Sequence, residues 1–122
     1  MILYIKTQAV YVTDQKRAQD FYTRQLGFEV RKNLPMEPNA NWIEVAPPGA
    51  QSCLVLYPRA MMRGWEQMKP SIVFKVADMA ATVKELSGRG VEFVEKPKDM
   101  PWGIYAKIAD PDHNEFLLVQ DK

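Results

Sequence analysis

Two similar stretches decide the fold of this chain, QAVYVTD at residues 8–14 and IVFKVAD at residues 72–78. Each stretch is a strand-like apolar run that ends in an aspartate, and Asp78 follows Asp14 at an offset of 64. Similarity at a fixed offset is the mark of a repeated supersecondary unit. The sequence therefore predicts two copies of one structural module.

A helix is predicted after each aspartate. Asp14 and Asp78 suit the position before a helix, where a side-chain oxygen accepts a backbone N–H bond. Gly27 and Gly90, at an offset of 63, supply the left-handed residue that ends a helix. Apolar residues between these limits recur at spacings of three and four, which predicts an amphipathic helix in each half. These residues are Ala18, Phe21, Tyr22 and Leu26 in the first half, and Met79, Val83 and Leu86 in the second.

The pattern changes to strands after each helix. The predicted strands cover residues 28–33, 41–46 and 52–57 in the first half, and 91–95, 103–109 and 115–120 in the second. Asp110 and Pro111 suit a type I turn, in which Asn114 tolerates an unusual φ. Each half is therefore predicted as βαβββ, with module 1 at residues 1–58, a link at 59–70 and module 2 at 71–122.

Composition narrows the classes of protein. A chain of 122 residues with 47% hydrophobic and 25% charged residues is expected to form one globular domain. Its net charge of +1 argues against a nucleic-acid partner, and no apolar run approaches the roughly 20 residues of a membrane span. The start lacks the features of a signal peptide, and the only cysteine is Cys53. We therefore expect a cytoplasmic protein.

The order and spacing of several short motifs resemble the vicinal oxygen chelate superfamily, the glyoxalase/bleomycin-resistance/extradiol-dioxygenase group. The motifs are Asp14…Phe21-Tyr22…Leu26-Gly27-Phe28, Gly90-Val91-Glu92-Phe93, Pro101-Trp102-Gly103 and Asp110-Pro111-Asp112-x-Asn114. The resemblance covers nearly the whole chain. It implies an α+β fold in which two βαβββ modules form a curved mixed β-sheet around a cavity, often in a homodimer. Since this fold hosts many functions, the resemblance alone does not specify a reaction.

The resemblance also locates four metal-ligand positions, one on the first and one on the last strand of each module. Metal-dependent members of the superfamily usually have His or Glu there. In this chain the positions fall on Thr7, Cys53, Ser71 and Leu117. A divalent metal needs several converging donors, and this set offers at most one. We therefore expect the metal site to be absent and predict no cofactor.

Strand alternation divides the side chains between two faces. The helix-facing side is predicted to carry Val10, Val12, Ile72, Phe74, Val76, Phe116 and Leu118. The opposite, cavity-facing side is predicted to carry Thr7, Ala9, Tyr11, Cys53, Tyr57, Ser71, Lys75, Glu115 and Leu117, with Trp42, Glu44, Tyr105 and Lys107 from the middle strands. Aromatic walls with a few polar groups suit a ligand pocket, although a dimer interface is an alternative. The predicted ligand-binding residues are Tyr11, Trp42, Tyr57, Lys75, Trp102, Tyr105 and Lys107.

Several of these side chains have two interpretations. Lys75 and Lys107 are suited to a carboxylate or phosphate, or to ion pairs with Glu44 and Glu115. A general base or ligand is one interpretation of His113, and a turn residue with positive φ is the favoured one. A nucleophile is one interpretation of Cys53, and a small wall or core residue is the favoured one.

Three functions are compatible with these residues. The first is a metal-independent binding protein that holds a planar or amphipathic small molecule in an aromatic-lined cleft. The second is an enzyme similar to lactoylglutathione lyase or a ring-cleaving dioxygenase, which would need a divalent metal on non-standard carboxylate ligands such as Glu44 and Glu115. The same carboxylates are the weak candidates for a catalytic base. The third is a regulatory or structural partner whose aromatic face is buried against another subunit.

Overall fold

The computed structural model describes residues 1, 3–36, 39–61 and 71–122. They belong to two compact units, Met1–Pro70 and Ser71–Lys122. Each unit has the element order βαβββ, so the predicted α+β fold with two such modules is confirmed. Most of the predicted link at residues 59–70 lies outside the described residues, and its first part, Arg59–Met61, forms a single 3₁₀ turn.

The first unit is a four-stranded mixed sheet with one helical segment. Its elements are β1 (Thr7–Val12), α1 (Gln15–Asp20), a π-helical segment (Phe21–Gln25), β2 (Glu29–Met36), β3 (Ala40–Ala46) and β4 (Cys53–Pro58). The strand order is β1-β4-β3-β2, in which β1 runs parallel to β4 and the other neighbours are antiparallel. The helical crossover after β1 is what allows its parallel pairing with β4.

The second unit repeats this topology. Its elements are β5 (Ile72–Lys75), α2 (Met79–Gly88), β6 (Glu92–Met100), β7 (Gly103–Ala109) and β8 (Glu115–Asp121). The strand order is β5-β8-β7-β6, again with one parallel pair, between β5 and β8. No helix in the described part of the chain is long and apolar enough to cross a membrane.

The helix limits follow the predicted chemistry. An Asp14 carboxylate oxygen accepts the N–H of Arg17 at 3.0 Å, and an Asp78 oxygen accepts the N–H of Ala81 at 3.1 Å. Gly27 has φ 77° and lies just past the first helical segment, as Gly90 with φ 81° lies past the second. Such values favour glycine because its lack of a Cβ removes the steric penalty.

The first helix departs from the predicted single α-helix. It ends at Asp20 and continues as a π-helical turn, in which the N–H of Leu26 donates to the carbonyl of Phe21 at 3.2 Å. The wider turn lets two consecutive aromatic rings enter the core, Phe21 at 5% exposure and Tyr22 fully buried, packed edge to face at 5.2 Å. Leu26, predicted on the same apolar stripe, is consequently only half-buried.

The predicted helix-facing side chains form much of the core. Val10 and Val12 are fully buried, and Phe116 and Leu118 are at most 3% exposed. The three on or next to β5, namely Ile72, Phe74 and Val76, are only half-buried.

Each sheet contains a β-bulge at the same place in its second strand. The register shifts between Val30 and Lys32 in β2, and between Phe93 and Glu95 in β6. A bulge places two residues against one, so the side chains beyond it change face relative to simple alternation. Both strands are also longer than predicted, extending to Met36 and Met100 instead of residues 33 and 95.

The turn between β7 and β8 is built around Asp110. One of its carboxylate oxygens accepts the N–H of Asp112 at 2.9 Å and that of Asn114 at 2.8 Å, and the other accepts the Asn114 side-chain amide at 2.9 Å. His113, with φ 64°, is the residue with the unusual φ, instead of Asn114. The turn interpretation of His113 is therefore confirmed, and the residue is exposed to solvent.

Candidate functional site

One face of the first sheet brings together most of the site residues predicted in that unit. Register pairs Thr7 with Cys53, Ala9 with Val55 and Tyr11 with Tyr57 across β1 and β4. Val55 in turn lies opposite Glu44 of β3, and Trp42 is two residues from Glu44 on the same strand. Since paired residues and residues two apart share a face, these side chains lie on one surface.

Three aromatic side chains on this surface form a contiguous group, here called the aromatic cluster: Tyr11, Trp42 and Tyr57. The ring centroid of Tyr57 lies 6.4 Å from that of Tyr11 and 6.2 Å from that of Trp42, and both contacts are edge to face, at 81° and 86°. All three residues are half-buried. Rings held by perpendicular neighbours are positioned to stack a planar ligand at little entropic cost.

A buried carboxylate adjoins the aromatic cluster. Glu44 is 6% exposed, and its Oε2 accepts the indole N–H of Trp42 at 2.7 Å. The predicted pairing of Glu44 with Lys75 or Lys107 would join the two units and stays a prediction. The hydrogen bond fixes the indole ring relative to the carboxylate.

Lys107 is the counterpart of Glu44 on the second sheet, at the offset of 63 residues that relates Gly27 to Gly90. The charge of Lys107 is neutralised by neighbouring carboxylates. Its Nζ lies 3.1 Å from Glu95 and 3.7 Å from Glu115, the second being a predicted pairing. The hydrogen bond from Lys107, and then its charge, lower the pKa of Glu95, and the same contact raises the pKa of Lys107. Lys75 pairs with Asp121 at 3.3 Å, which is not one of the predicted partners.

The other predicted ligand-binding residues form a stack in the second unit. The rings of Trp102 and Tyr105 are 5.8 Å apart and nearly parallel, at 17°. Trp102 is 55% exposed. The seven predicted ligand-binding residues thus fall into two groups, with Tyr11, Trp42 and Tyr57 in the first unit and Lys75, Trp102, Tyr105 and Lys107 in the second.

The four metal-equivalent positions do not make a ligand set. The parallel strand pairs show which residues of the two units are equivalent. In the first unit Thr7 pairs with Cys53. In the second unit Leu117 pairs with Val73, which follows Ala9 by 64 positions. Since Ala9 pairs with Val55, the structural counterpart of Leu117 is Val55 and not Cys53, which corrects the predicted equivalence. Val55 has no donor atom in its side chain. In residues 3–36, 39–61 and 71–122, no group of three or more His, Cys, Asp or Glu side chains converges, so this donor set does not fit the superfamily's metal.

The remaining candidates are two carboxylates and a cysteine. Glu44 and Glu115, the carboxylates proposed for metal binding or base catalysis, lie in different units. Glu44 is buried beside Trp42, whereas Glu115 is exposed beside Lys107. Cys53 is 8% exposed in β4, in agreement with a wall or core position.

Sequence reasoning missed two charged residues of these surfaces, Lys32 and Glu95. Lys32 lies opposite Glu44, and Glu95 lies opposite Lys107. Both follow a bulge, so counting alternate residues along the strand places them on the wrong face. The offset of 63 that relates Gly27 to Gly90 also relates Lys32 to Glu95, and it is the sequence signal that was available.

Comparison with known proteins agrees with this architecture. The family model of the glyoxalase/bleomycin resistance protein/dioxygenase superfamily matches residues 4–118. The chain is 49% identical to the uncharacterized protein YetH of Bacillus subtilis over 120 residues, which cover 98% of this chain and all of YetH.

Solved structures show the same similarity. A superfamily member from Sphaerobacter thermophilus has a TM-score of 0.87 at 34% identity, with 98% of each chain covered. TnmS3, an antibiotic binding protein from Streptomyces sp. CB03234, has a TM-score of 0.85 at 33% identity, with 99% of this chain and 98% of TnmS3 covered. The topology, the repeated modules and these matches together show that the chain belongs to the glyoxalase/bleomycin resistance protein/dioxygenase superfamily.

Proposed function

We propose that this protein is a metal-independent binding protein that sequesters a planar aromatic small molecule on the aromatic cluster of its first unit. The observation that carries the proposal is the perpendicular packing of Tyr11 and Trp42 against Tyr57. Sequestration needs shape and stacking, and it needs no acid, base or metal. Similarity to TnmS3, an antibiotic binding protein, supports the same class of function.

The test is a titration with 9-anthracenemethanol, a neutral planar probe, followed by energy transfer from tryptophan to the anthracene ring. Tyr57→Leu is expected to weaken binding, because it removes the central ring of the aromatic cluster. Aromatic pairs contribute about 0.5–1.5 kcal/mol beyond buried area, which corresponds to roughly 2- to 12-fold in Kd. Tyr57→Phe is the matched control, since it keeps the ring and should bind within about twofold of the unchanged protein.

Metal independence is tested in the same titration. The Kd for 9-anthracenemethanol is expected to be unchanged after dialysis against EDTA. An affinity that disappears with EDTA and returns with added Mn²⁺ or Zn²⁺ would overturn the proposal and favour the metal-dependent lyase or dioxygenase. Equal binding by Tyr57→Leu and Tyr57→Phe would place the ligand elsewhere.

The homodimer, the cytoplasmic location and the lack of a nucleic-acid partner stay predictions. Light scattering coupled to size-exclusion chromatography tests the homodimer, because the measured mass of a dimer is twice the 14.0 kDa of one chain.

A further inference from the structure

We infer that the ligand held by the aromatic cluster carries a protonated amine, which binds the Glu44 carboxylate. This inference rests on the proposed function and adds a chemical class to it. Planarity alone would satisfy the rings, whereas a cation would complement the carboxylate beside them.

The first support is the unfilled hydrogen-bonding capacity of Glu44. Glu44 is 6% exposed, and its carboxylate accepts one hydrogen bond in the described structure, from Trp42 Nε1 to Oε2. An ionised carboxylate has about four acceptor positions on its two oxygens. Buried carboxylates are ordinarily paired with a cation, because desolvation of an unpaired charge is costly.

The second support is a comparison within the chain itself. At the offset of 63, Glu44 corresponds to Lys107, and Lys32 corresponds to Glu95. The second unit neutralises its central charge internally, since Lys107 lies within ion-pair distance of both Glu95 and Glu115. The first unit has the charges reversed, and among its own described residues no Lys, Arg or His nitrogen lies within ion-pair distance of the Glu44 carboxylate. Its cross-strand neighbour Lys32 is exposed.

The third support is the position of the carboxylate beside electron-rich rings. The face of an indole or phenol ring attracts a cation through its quadrupole. Trp42 is hydrogen-bonded to Glu44 and packs edge to face on Tyr57 at 6.2 Å. An ammonium group near Glu44 would therefore be favoured by the carboxylate and by the rings, while the planar part of the same ligand stacks on the aromatic cluster.

Three probes with one ring system test the charge preference: 9-(aminomethyl)anthracene, which is protonated at neutral pH, neutral 9-anthracenemethanol, and anionic 9-anthracenecarboxylate. We expect the amine to bind at least about tenfold more tightly than the carboxylate, since hydrogen bonds to charged groups are among the strong ones. Glu44→Gln should weaken amine binding about tenfold and leave binding of the alcohol within about twofold. The variant keeps an oxygen that can accept the indole N–H, and its thermal melting reports whether it folds.

Glu92→Gln is the matched control, because it removes one exposed strand carboxylate from the second unit. It should change neither affinity. Equal affinities for the three probes, or an equal loss of amine and alcohol binding in a folded Glu44→Gln protein, would overturn the inference and leave the proposed function intact. Failure of all three probes to bind would overturn both.

Discussion

Replacement of Gly103 by alanine is expected to destabilise the protein, because a Cβ at this position would meet a neighbouring strand. An ideal Cβ built on Gly103 lies 2.6 Å from the carbonyl oxygen of Gln120, a separation that real Cβ atoms essentially never show. The contact is with backbone, so rotation of a side chain cannot relieve it. Strands β7 and β8 would have to separate where Gly103 pairs with Asp121.

The expected cost is that of overpacking a well-packed site, about 1–3 kcal/mol in the free energy of unfolding. For a chain of this size about 4 °C of Tm accompanies each kcal/mol, so Tm should fall by roughly 4–12 °C. Urea unfolding followed by circular dichroism measures the change, which should appear in the midpoint and not in the slope.

Gly88→Ala is the control for the same chemical change. Gly88 is the last residue of α2, and a Cβ there meets nothing within 4 Å. Alanine should therefore stabilise the helix by about 0.4–1 kcal/mol. If Gly103→Ala unfolds within about 0.5 kcal/mol of the unchanged protein, the close approach of β7 and β8 described above is wrong.

Two further predictions concern the second unit. His113→Gly should raise the free energy of unfolding by up to about 1 kcal/mol, because His113 has φ 64° and glycine adopts this conformation without steric cost; a lower urea midpoint would contradict it. The contact between Glu95 and Lys107 lowers the pKa of Glu95 and raises the pKa of Lys107. This ion pair should therefore stabilise the folded protein at pH values between the ordinary pKa of Glu95 and the ordinary pKa of Lys107. The difference in urea midpoint between the unchanged protein and Glu95→Gln should accordingly shrink as the pH falls from 7 to about 3; a difference that stays constant would contradict the assignment.

The sequence predicted the module architecture because its signals are local. Asp14 and Asp78 bond to backbone N–H groups three residues away, and Gly27 and Gly90 adopt positive φ where each helix ends. The alternation along β1, β3 and β4 likewise placed the aromatic cluster on one face. These features depend on the chain within one or two turns or strands, so periodicity reveals them.

The features that the sequence did not reveal depend on partners distant in the chain. The bulges in β2 and β6 change the face of Lys32 and Glu95, and only pairing with the next strand defines them. The equivalence of Leu117 with Val55 needed the parallel register of two strand pairs.

The most direct test of metal-free binding on the aromatic cluster is a crystal structure of the complex with 9-anthracenemethanol, grown in the presence of EDTA. We predict density for the anthracene ring in contact with Trp42 and Tyr57, and no cation at Thr7 or Ser71. A metal ion with coordinating distances to the protein, or an anthracene ring bound away from Trp42 and Tyr57, would contradict the proposal.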